Sequence, residues 1–280
     1  MENNIRTWRT PHPHDRWPRD YFPAPYTATR FFDNMCFIGD PRVACFLLET
    51  DEGLVLIDAM DPTQHCVDLI ESGIIALGHK PEELAAILIT HGHGDHWGEA
   101  GYFKKKYGCK VYMSEVDYNF ATNLPGHFRW KNLDYPMDAY LEDGMVLNYG
   151  NTSVLAIHTP GHTAGCMSFI ISVYDEGRPH MLALWGGTGI MPDTDPDVYI
   201  ASVEKFKSIC KGKHVDAEVS NHPYVDNLIH KLEIINHIVD GVANPFVIGE
   251  EAIERYMDMF KDMAERAKVE RANPKLSRRG

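Results

Sequence analysis

The chain has 280 residues, of which 44% are hydrophobic and 24% charged, and its formal net charge at pH 7 is −13. A globular chain of this length buries about three quarters of its unfolded surface, as one large domain or two small ones. The negative charge disfavours a nucleic-acid partner, which usually requires a basic surface, and no apolar run approaches the roughly 20 residues that span a bilayer.

The N-terminal sequence and the cysteines bear on the cellular compartment. Residues 1–6 lack the basic and then apolar profile of a secretory signal, so we expect a cytoplasmic protein, or a periplasmic one if a leader was removed. The six cysteines are scattered and form no Cys-x-x-Cys pair. This pattern indicates small buried side chains rather than a disulfide framework.

Residues 1–42 are rich in proline, arginine and aromatic side chains. Because proline resists helix and strand alike, we expect an extended arm that lies over the body of the protein. His12 and His14 in this arm have the spacing of a metal-binding pair. The prolines beside them and the distance from other candidate ligands favour a surface position instead.

The first regular elements are predicted after this arm. Residues 44–50 and 54–58 are apolar runs on either side of an Asp-Glu-Gly turn, which indicates a β-hairpin ending at Asp58. Residues 64–77 have apolar side chains at helical spacing. The apolar run 85–89 then reads as a buried strand.

A loop with three histidines and one aspartate follows that strand directly, with the sequence Thr90-His91-Gly92-His93-Gly94-Asp95-His96. Residues two apart in an extended loop point to the same side, so His91 and His93 can bind one metal ion. Asp95 and His96 diverge and can bind another. Imidazole and carboxylate together suit zinc better than iron or manganese. A histidine-rich surface loop is the simpler alternative, which four candidate ligands in this order disfavour.

Asp58 has two interpretations once this loop is recognised. It can hydrogen-bond to a metal-binding histidine and so fix the ring. It can equally be a turn residue or a helix N-cap.

The remaining elements alternate between strands and helices. A helix is predicted at 97–107, a strand at 110–113 and a helix from Ser114, and the aromatic-rich stretch 125–143 is either a pocket wall or aromatic packing under a long loop. Further strands are predicted at 145–147, 153–158, 166–173, 181–185 and 217–220, and further helices at 197–209, 225–239 and 250–270. This order favours an α/β protein with two packed sheets, helices on both outer faces and two similar halves.

Two more histidines are predicted to lie at strand ends. His162 lies in Thr159-Pro160-Gly161-His162-Thr163, a tight turn between strands, and His222 lies in Ser220-Asn221-His222-Pro223 directly after a strand. Both positions match that of the histidine-rich loop, so these histidines can join the same site.

Together, these motifs resemble the metallo-β-lactamase superfamily over about residues 44–224. The resemblance implies an α/β fold of four layers, the αβ/βα sandwich, in a single domain of residues 1–280 with an arm at 1–42 and a C-terminal helix at 250–270. It also implies a site for two Zn²⁺ ions at the edge of the sheets. Carried over by position, the first zinc would be bound by His91, His93 and His162, and the second by Asp95, His96 and His222.

One segment, Leu184-Trp185-Gly186-Gly187-Thr188-Gly189, departs from most hydrolases of the superfamily, which have a metal-bridging aspartate here. This chain has Gly187 or Thr188 at that position. With His96 available as a ligand, the pattern is most similar to the class B β-lactamases of subclass 3.

The resemblance implies that a zinc-bound hydroxide attacks a carbonyl of a small-molecule substrate. Asp95 would orient the water and move a proton, and Tyr224 is a candidate oxyanion donor whose alternative role is ordinary packing. The substrate is a β-lactam amide in one interpretation. In the alternative, the protein is a cytoplasmic esterase, thioesterase or lactonase, and the substrate is an ester, thioester or lactone. An iron-binding redox protein, a nuclease and a metal-free binding protein fit the sequence less well. The sequence predicts no oligomeric state.

Overall fold

A computed structural model of the chain describes residues 24–126, 131–239 and 241–273. Most of the proline-rich arm, with His12 and His14, lies outside the described residues. The same is true of Phe128 and Trp130 in the aromatic-rich stretch.

The first sheet has seven strands in sequential order. They are β1 Tyr26–Phe32, β2 Met35–Gly39, β3 Ala44–Thr50, β4 Gly53–Ile57, β5 Leu84–Leu88, β6 Lys110–Met113 and β7 Ala139–Tyr140. Strands β1 to β4 pair antiparallel, and β4 to β7 pair parallel. The predicted hairpin is therefore present as β3 and β4.

Strands β1 and β2 correct the expectation of an arm over residues 1–42. No proline occurs between Tyr26 and Gly39, so every backbone N–H in this stretch can join a ladder. All residues of β2 are buried, and Cys36 pairs opposite Leu47 of β3. The prolines that suggested an arm lie on either side of these strands.

The second sheet has five strands in the order β12-β11-β10-β9-β8. They are β8 Val146–Tyr149, β9 Thr152–His158, β10 Met167–Asp175, β11 Arg178–Leu184 and β12 Ala217–Val219. All neighbours pair antiparallel except β11 and β12, which pair parallel.

The α-helices lie between the strands and after them. They are α1 Gln64–Ala76, α2 Gly94–Trp97, α3 Ala100–Tyr107, α4 Glu115–Thr122, α5 Pro196–Gly212, α6 Leu228–Asn236 and α7 Glu250–Ala272. One predicted boundary is wrong, because the helix expected at 97–107 is interrupted at Gly98. A Cβ atom on Gly98 would lie 1.9 Å from the carbonyl oxygen of Met60, so the chain comes too close to this loop for a continuous helix with a side chain there.

Three hydrophobic clusters separate four layers. One cluster fills the space between the two sheets, and it includes Phe46 and Phe169. A second lies between the first sheet and helices α1 and α3, and a third lies between the second sheet and helices α5 and α7. The order helix, sheet, sheet, helix confirms the predicted αβ/βα sandwich.

The loops that carry the candidate ligands meet at one edge of the sandwich. The loop after β5 is tied to the start of β10 by a hydrogen bond of 2.8 Å from the Met167 N–H to the Thr90 carbonyl. The Ala44 N–H at the start of β3 donates to the Asn221 carbonyl beyond β12, at 2.9 Å. Both sheets thus contribute backbone to the same edge.

The lengths and hydropathy of the helices bear on membrane insertion. Among the helices of the described ranges, none is both long and apolar enough to cross a bilayer.

Candidate metal centre

The structure brings the predicted ligands together as two groups of three buried or nearly buried side chains. One group is His91, His93 and His162, and the other is Asp95, His96 and His222. Within each group the candidate ligand atoms lie within 4.8 Å of one another. The grouping is the one that the family resemblance implied.

The nitrogen atoms of the first group converge on one point. His162 Nε2 lies 3.1 Å from His91 Nε2 and 3.0 Å from His93 Nδ1. Ligand atoms bound at about 2.05 Å to a tetrahedral zinc ion are about 3.3 Å apart. The spacing of these three nitrogens therefore fits a small tetrahedral cation.

Hydrogen bonds on the far side of the rings assign which nitrogen faces the site. His162 Nδ1 lies 2.7 Å from the Gly189 carbonyl, which accepts only if Nδ1 carries the proton. The Thr90 hydroxyl donates to the Asp58 carboxylate, so it accepts from His91 Nδ1, which lies 3.1 Å from it. Both rings therefore present an Nε2 lone pair to the centre of the group.

Burial favours the neutral form of these rings. Burial, and then the neighbouring histidines, lowers the pKa of His91 well below its usual value, and burial and His93 do the same to the pKa of His162. A neutral imidazole is the form that binds metal. Burial thus favours the metal-binding form of His91 and His162.

The second group contains an unsatisfied ligand atom. His96 Nδ1 lies 2.8 Å from Asp58 Oδ2, and His222 Nδ1 lies 2.9 Å from the Arg42 carbonyl. His96 Nε2 is buried and has no hydrogen-bond partner among the described residues. Asp95 Oδ1 lies 3.8 Å from it. A buried imidazole nitrogen without a partner is costly, so its position beside a carboxylate fits a metal ligand.

Asp58 resolves the alternatives that the sequence left open. Its backbone is left-handed, with φ 62°, and its carboxylate contacts His96 and accepts hydrogen bonds of 2.8 Å and 2.9 Å from the N–H and hydroxyl of Thr90. Burial lowers the pKa of His96, but the carboxylates of Asp58 and Asp95 outweigh burial and raise it. Asp58 therefore contacts a candidate ligand and is not a helix cap.

Asn221 was not predicted as part of the site. Its amide nitrogen lies 3.2 Å from Asp58 Oδ2, 3.3 Å from Thr90 Oγ1 and 3.2 Å from the Gly186 carbonyl. These contacts join the ends of β4, β5, β11 and β12 beneath the second group. The only signal in the sequence is that Asn221 precedes His222.

Gly187 lies against His162 of the first group. A Cβ atom there would lie 2.3 Å from the Cβ of His162 and 3.0 Å from Cys166 Sγ. No side chain fits this backbone, so an aspartate cannot occupy the position. Thr188, the next residue, is buried.

Tyr224 lies beside the second group. Its ring is 5.5 Å from that of His222, and 40% of the residue is exposed. Burial of the hydroxyl, and then the Asp95 carboxylate, raises the pKa of Tyr224. The hydroxyl therefore stays protonated at neutral pH and can donate a hydrogen bond.

A cleft of about 1100 Å³ lies on the outer side of α3, and none of the candidate ligands lines it. Tyr135, from the aromatic-rich stretch, lines this cleft and donates a hydrogen bond of 3.0 Å to the Trp97 carbonyl. A Cβ atom on Gly101 would lie 2.3 Å from the Tyr135 ring. The sequence left open whether residues 125–143 form a pocket wall or pack under a loop. Tyr135 does both, because its ring packs against Gly101 and also lines the cleft.

Comparisons with known proteins agree with this geometry. Residues 38–175 match the model of the metallo-β-lactamase superfamily. The probable polyketide biosynthesis zinc-dependent hydrolase PksB of Bacillus subtilis is 37% identical over 148 residues, which cover 52% of this chain and 56% of that protein. A hydroxyacylglutathione hydrolase of Rhodopseudomonas palustris is 32% identical over 128 residues, which cover 45% of this chain and 44% of that protein.

Among solved structures, the subclass B3 metallo-β-lactamase BJP-1 of Bradyrhizobium japonicum superposes with a TM-score of 0.76 and 25% sequence identity. The match covers 89% of this chain and 96% of BJP-1. By contrast, the matches to PksB and to the hydroxyacylglutathione hydrolase span only about half the length of those relatives. Residues 38–175 of the chain thus form a domain of the metallo-β-lactamase superfamily.

Proposed function

We propose that the protein is a hydrolase that uses two zinc ions, one in each ligand group. The observation that carries this proposal is the convergence of two groups of three buried side chains at one edge of the sandwich. The spacing of the nitrogens around His162 and the unpartnered His96 Nε2 both fit zinc. The similarity to a zinc-dependent hydrolase such as PksB supports the choice of metal.

The roles of the residues follow from their positions. Zinc, when bound, supplies a Lewis acid and an activated water for attack on a carbonyl. The Asp95 carboxylate would orient the attacking water and accept its proton. Tyr224, whose hydroxyl stays protonated, would donate a hydrogen bond to the oxygen on which negative charge develops.

A β-lactam amide is the substrate that we favour. Neither Gly187 nor Thr188 carries a carboxylate that could bridge two metal ions, so the second group would depend on His96, the arrangement that the resemblance to subclass 3 implied. The architecture also matches that of BJP-1 along most of both chains.

An ester, thioester or lactone is the second candidate. The hydroxyacylglutathione hydrolase is more similar in sequence over its matched segment than BJP-1 is, with 32% against 25% identity. The same two ligand groups could serve either substrate class.

Hydrolysis by the zinc-loaded protein separates the two candidates. Nitrocefin and a carbapenem would be compared with a panel of esters, thioesters and lactones. We expect β-lactam turnover that a chelator abolishes and that His96→Ala lowers. Turnover of esters or lactones without any β-lactam turnover would favour the second candidate, and no chelator-sensitive hydrolysis of any substrate would refute the proposal.

A further inference from the structure

Asp117 is a buried carboxylate to which the sequence drew no attention. It lies in the first turn of α4, three residues after the helix N-cap Ser114, and it is fully shielded from solvent. Negative charge is favoured at this end of a helix, because the N–H groups of the first turn point towards it. Burial raises the pKa of Asp117, and the hydrogen bonds that its carboxylate accepts from Thr163, Gly92 and Gly165 oppose this effect.

The two oxygens of Asp117 bind both loops of the first ligand group. Oδ2 accepts hydrogen bonds from the Gly92 N–H at 2.7 Å and from the Thr163 hydroxyl at 2.6 Å. Oδ1 accepts one from the Gly165 N–H at 2.8 Å. Gly92 lies between His91 and His93, and Thr163 follows His162. One carboxylate thus connects the segments that carry all three histidines of this group.

The loops that contain Gly92 and Gly165 pack so closely against α4 that neither position has room for a side chain. A Cβ atom on Gly165 would lie 2.4 Å from Ser114 Oγ and 2.7 Å from Asp117 Oδ1. A Cβ atom on Gly92 would lie 2.7 Å from the Phe120 ring and 3.0 Å from the Asp117 carbonyl. Both loops therefore use glycine where they meet this helix.

Ser114 provides a second connection between α4 and the His162 loop. Its hydroxyl donates to the Gly165 carbonyl at 2.6 Å and accepts from the Asp117 N–H at 3.2 Å. This bond fixes the backbone of Asp117 relative to the same loop that its carboxylate binds. The start of α4 thus sets the distance between the two loops.

The second ligand group is held by other residues. His96 contacts Asp58, and His222 contacts the Arg42 carbonyl. Within the described ranges, the carboxylate of Asp117 accepts its hydrogen bonds from the loops of the first group. Because Gly92 also lies in the loop that carries Asp95 and His96, a change at Asp117 should act mainly on the first group and much less on the second.

We propose that Asp117 is a positioning residue that sets the zinc affinity of the His91, His93 and His162 group by fixing the spacing of the two loops. The inference rests on the proposed zinc site. Hydrogen bonds to a charged acceptor are short and directional, so they hold the imidazoles near the geometry that the metal requires.

The test is the zinc affinity of Asp117→Asn, measured by competition with a chromophoric chelator in two backgrounds of the full chain. In His96→Ala, which leaves the first group intact, we expect Asp117→Asn to weaken zinc binding about 10–100-fold, as loss of such a partner does elsewhere. In His162→Ala, which disrupts the first group, the same substitution should weaken zinc binding by a much smaller factor.

A matched control and a milder variant keep the outcome interpretable. Glu115→Gln removes an exposed carboxylate from the same helical turn and should change neither affinity. If Asp117→Asn fails to fold, Thr163→Val removes a single donor and should weaken the first group by a smaller factor. Equal weakening in both backgrounds, or none in either, would overturn the inference. A chain that binds no zinc in any background would instead refute the proposed function.

Discussion

At the scale of single residues, His162 of the first group and His96 of the second differ in the acceptor that their Nδ1 atoms contact. In the first group, His162 Nδ1 faces the Gly189 carbonyl, a neutral acceptor. In the second group, His96 Nδ1 faces the carboxylate of Asp58. A carboxylate partner makes an imidazole more basic and a stronger metal ligand. Zinc binding by the second group should therefore depend on the charge of Asp58.

Asp58→Asn tests this dependence. Asparagine tolerates the left-handed backbone of this position, so the substitution removes charge while the turn is kept. We expect the zinc affinity of the second group to fall about 10–100-fold. Chelator competition measures it, with the exposed Asp143→Asn as control. Unchanged affinity at both sites would show that Asp58 acts on the turn alone.

The sequence predicted the six candidate ligands and, as one of two alternatives, the contact of Asp58 with a ligand histidine, but it did not predict the roles of Asp117 and Asn221. The ligands stand out because they follow strands and are spaced two or a few residues apart, as His91 and His93 are. The supporting contacts join distant segments, since Asp117 binds Gly92 from 25 residues away and Asn221 reaches Asp58 across 163. No local pattern encodes such pairs.

At the scale of elements, the apolar strands β3, β4 and β5 were predicted well and the helix ends less well. The prediction failed for β1 and β2, because the prolines on either side indicate an extended arm although residues 26–39 contain no proline. It also failed at Gly98, where the close approach of the loop containing Met60 separates α2 from α3. Contacts between elements decided both cases, and those contacts are not visible in local composition.

Gly98→Ala tests the close approach at this junction. The added methyl group would overlap the carbonyl of Met60, which is backbone and cannot rotate away. We expect the free energy of unfolding to fall by about 1–3 kcal/mol, as for other overpacked positions. Urea denaturation measures the change.

Gly212→Ala is the matched control for that substitution. Gly212 is the last residue of α5, and no described atom lies within 4 Å of the position that its Cβ would take. Alanine favours the helix, so this variant should be unchanged or more stable by up to about 1 kcal/mol. Equal destabilisation by the two substitutions would contradict the structural interpretation of Gly98.

At the scale of the whole molecule, loops from both sheets of the four-layer fold meet at one edge. Each ligand group therefore contains residues from both halves of the chain. His91 and His96 come from the loop after the first sheet's β5, whereas His162 and His222 belong to the second half. The sequence predicted this architecture because the order of strands and helices repeats along the chain. It did not predict the buried charges that lie behind the site.

Two buried carboxylates, Glu218 and Asp226, share the cation of Lys231 behind the second group. Burial, and then the charge of Glu218, raises the pKa of Asp226 well above its usual value. The folded state therefore holds a proton that the unfolded state releases. Stability from this group is fully present below the unfolded pKa and is lost as the pH rises through the folded pKa.

Asp226→Asn should remove this pH dependence. As the pH rises, the difference in unfolding free energy between the variant and the wild type should shift in favour of the variant by up to about 1.4 kcal/mol per pH unit. Denaturant unfolding at several values from about pH 5 to pH 8 measures it, with the exposed Asp262→Asn as control. A difference that stays constant with pH would contradict the assignment.

The central claim is that the two groups of three side chains bind two zinc ions. Native mass spectrometry of the full chain during zinc titration tests it most directly. We expect two zinc ions for each wild-type chain and one for His96→Ala. A wild-type chain that binds fewer than two, or that is purified without added metal and holds mainly iron, would contradict the claim, as would a His96→Ala variant that retains two tightly bound zinc ions.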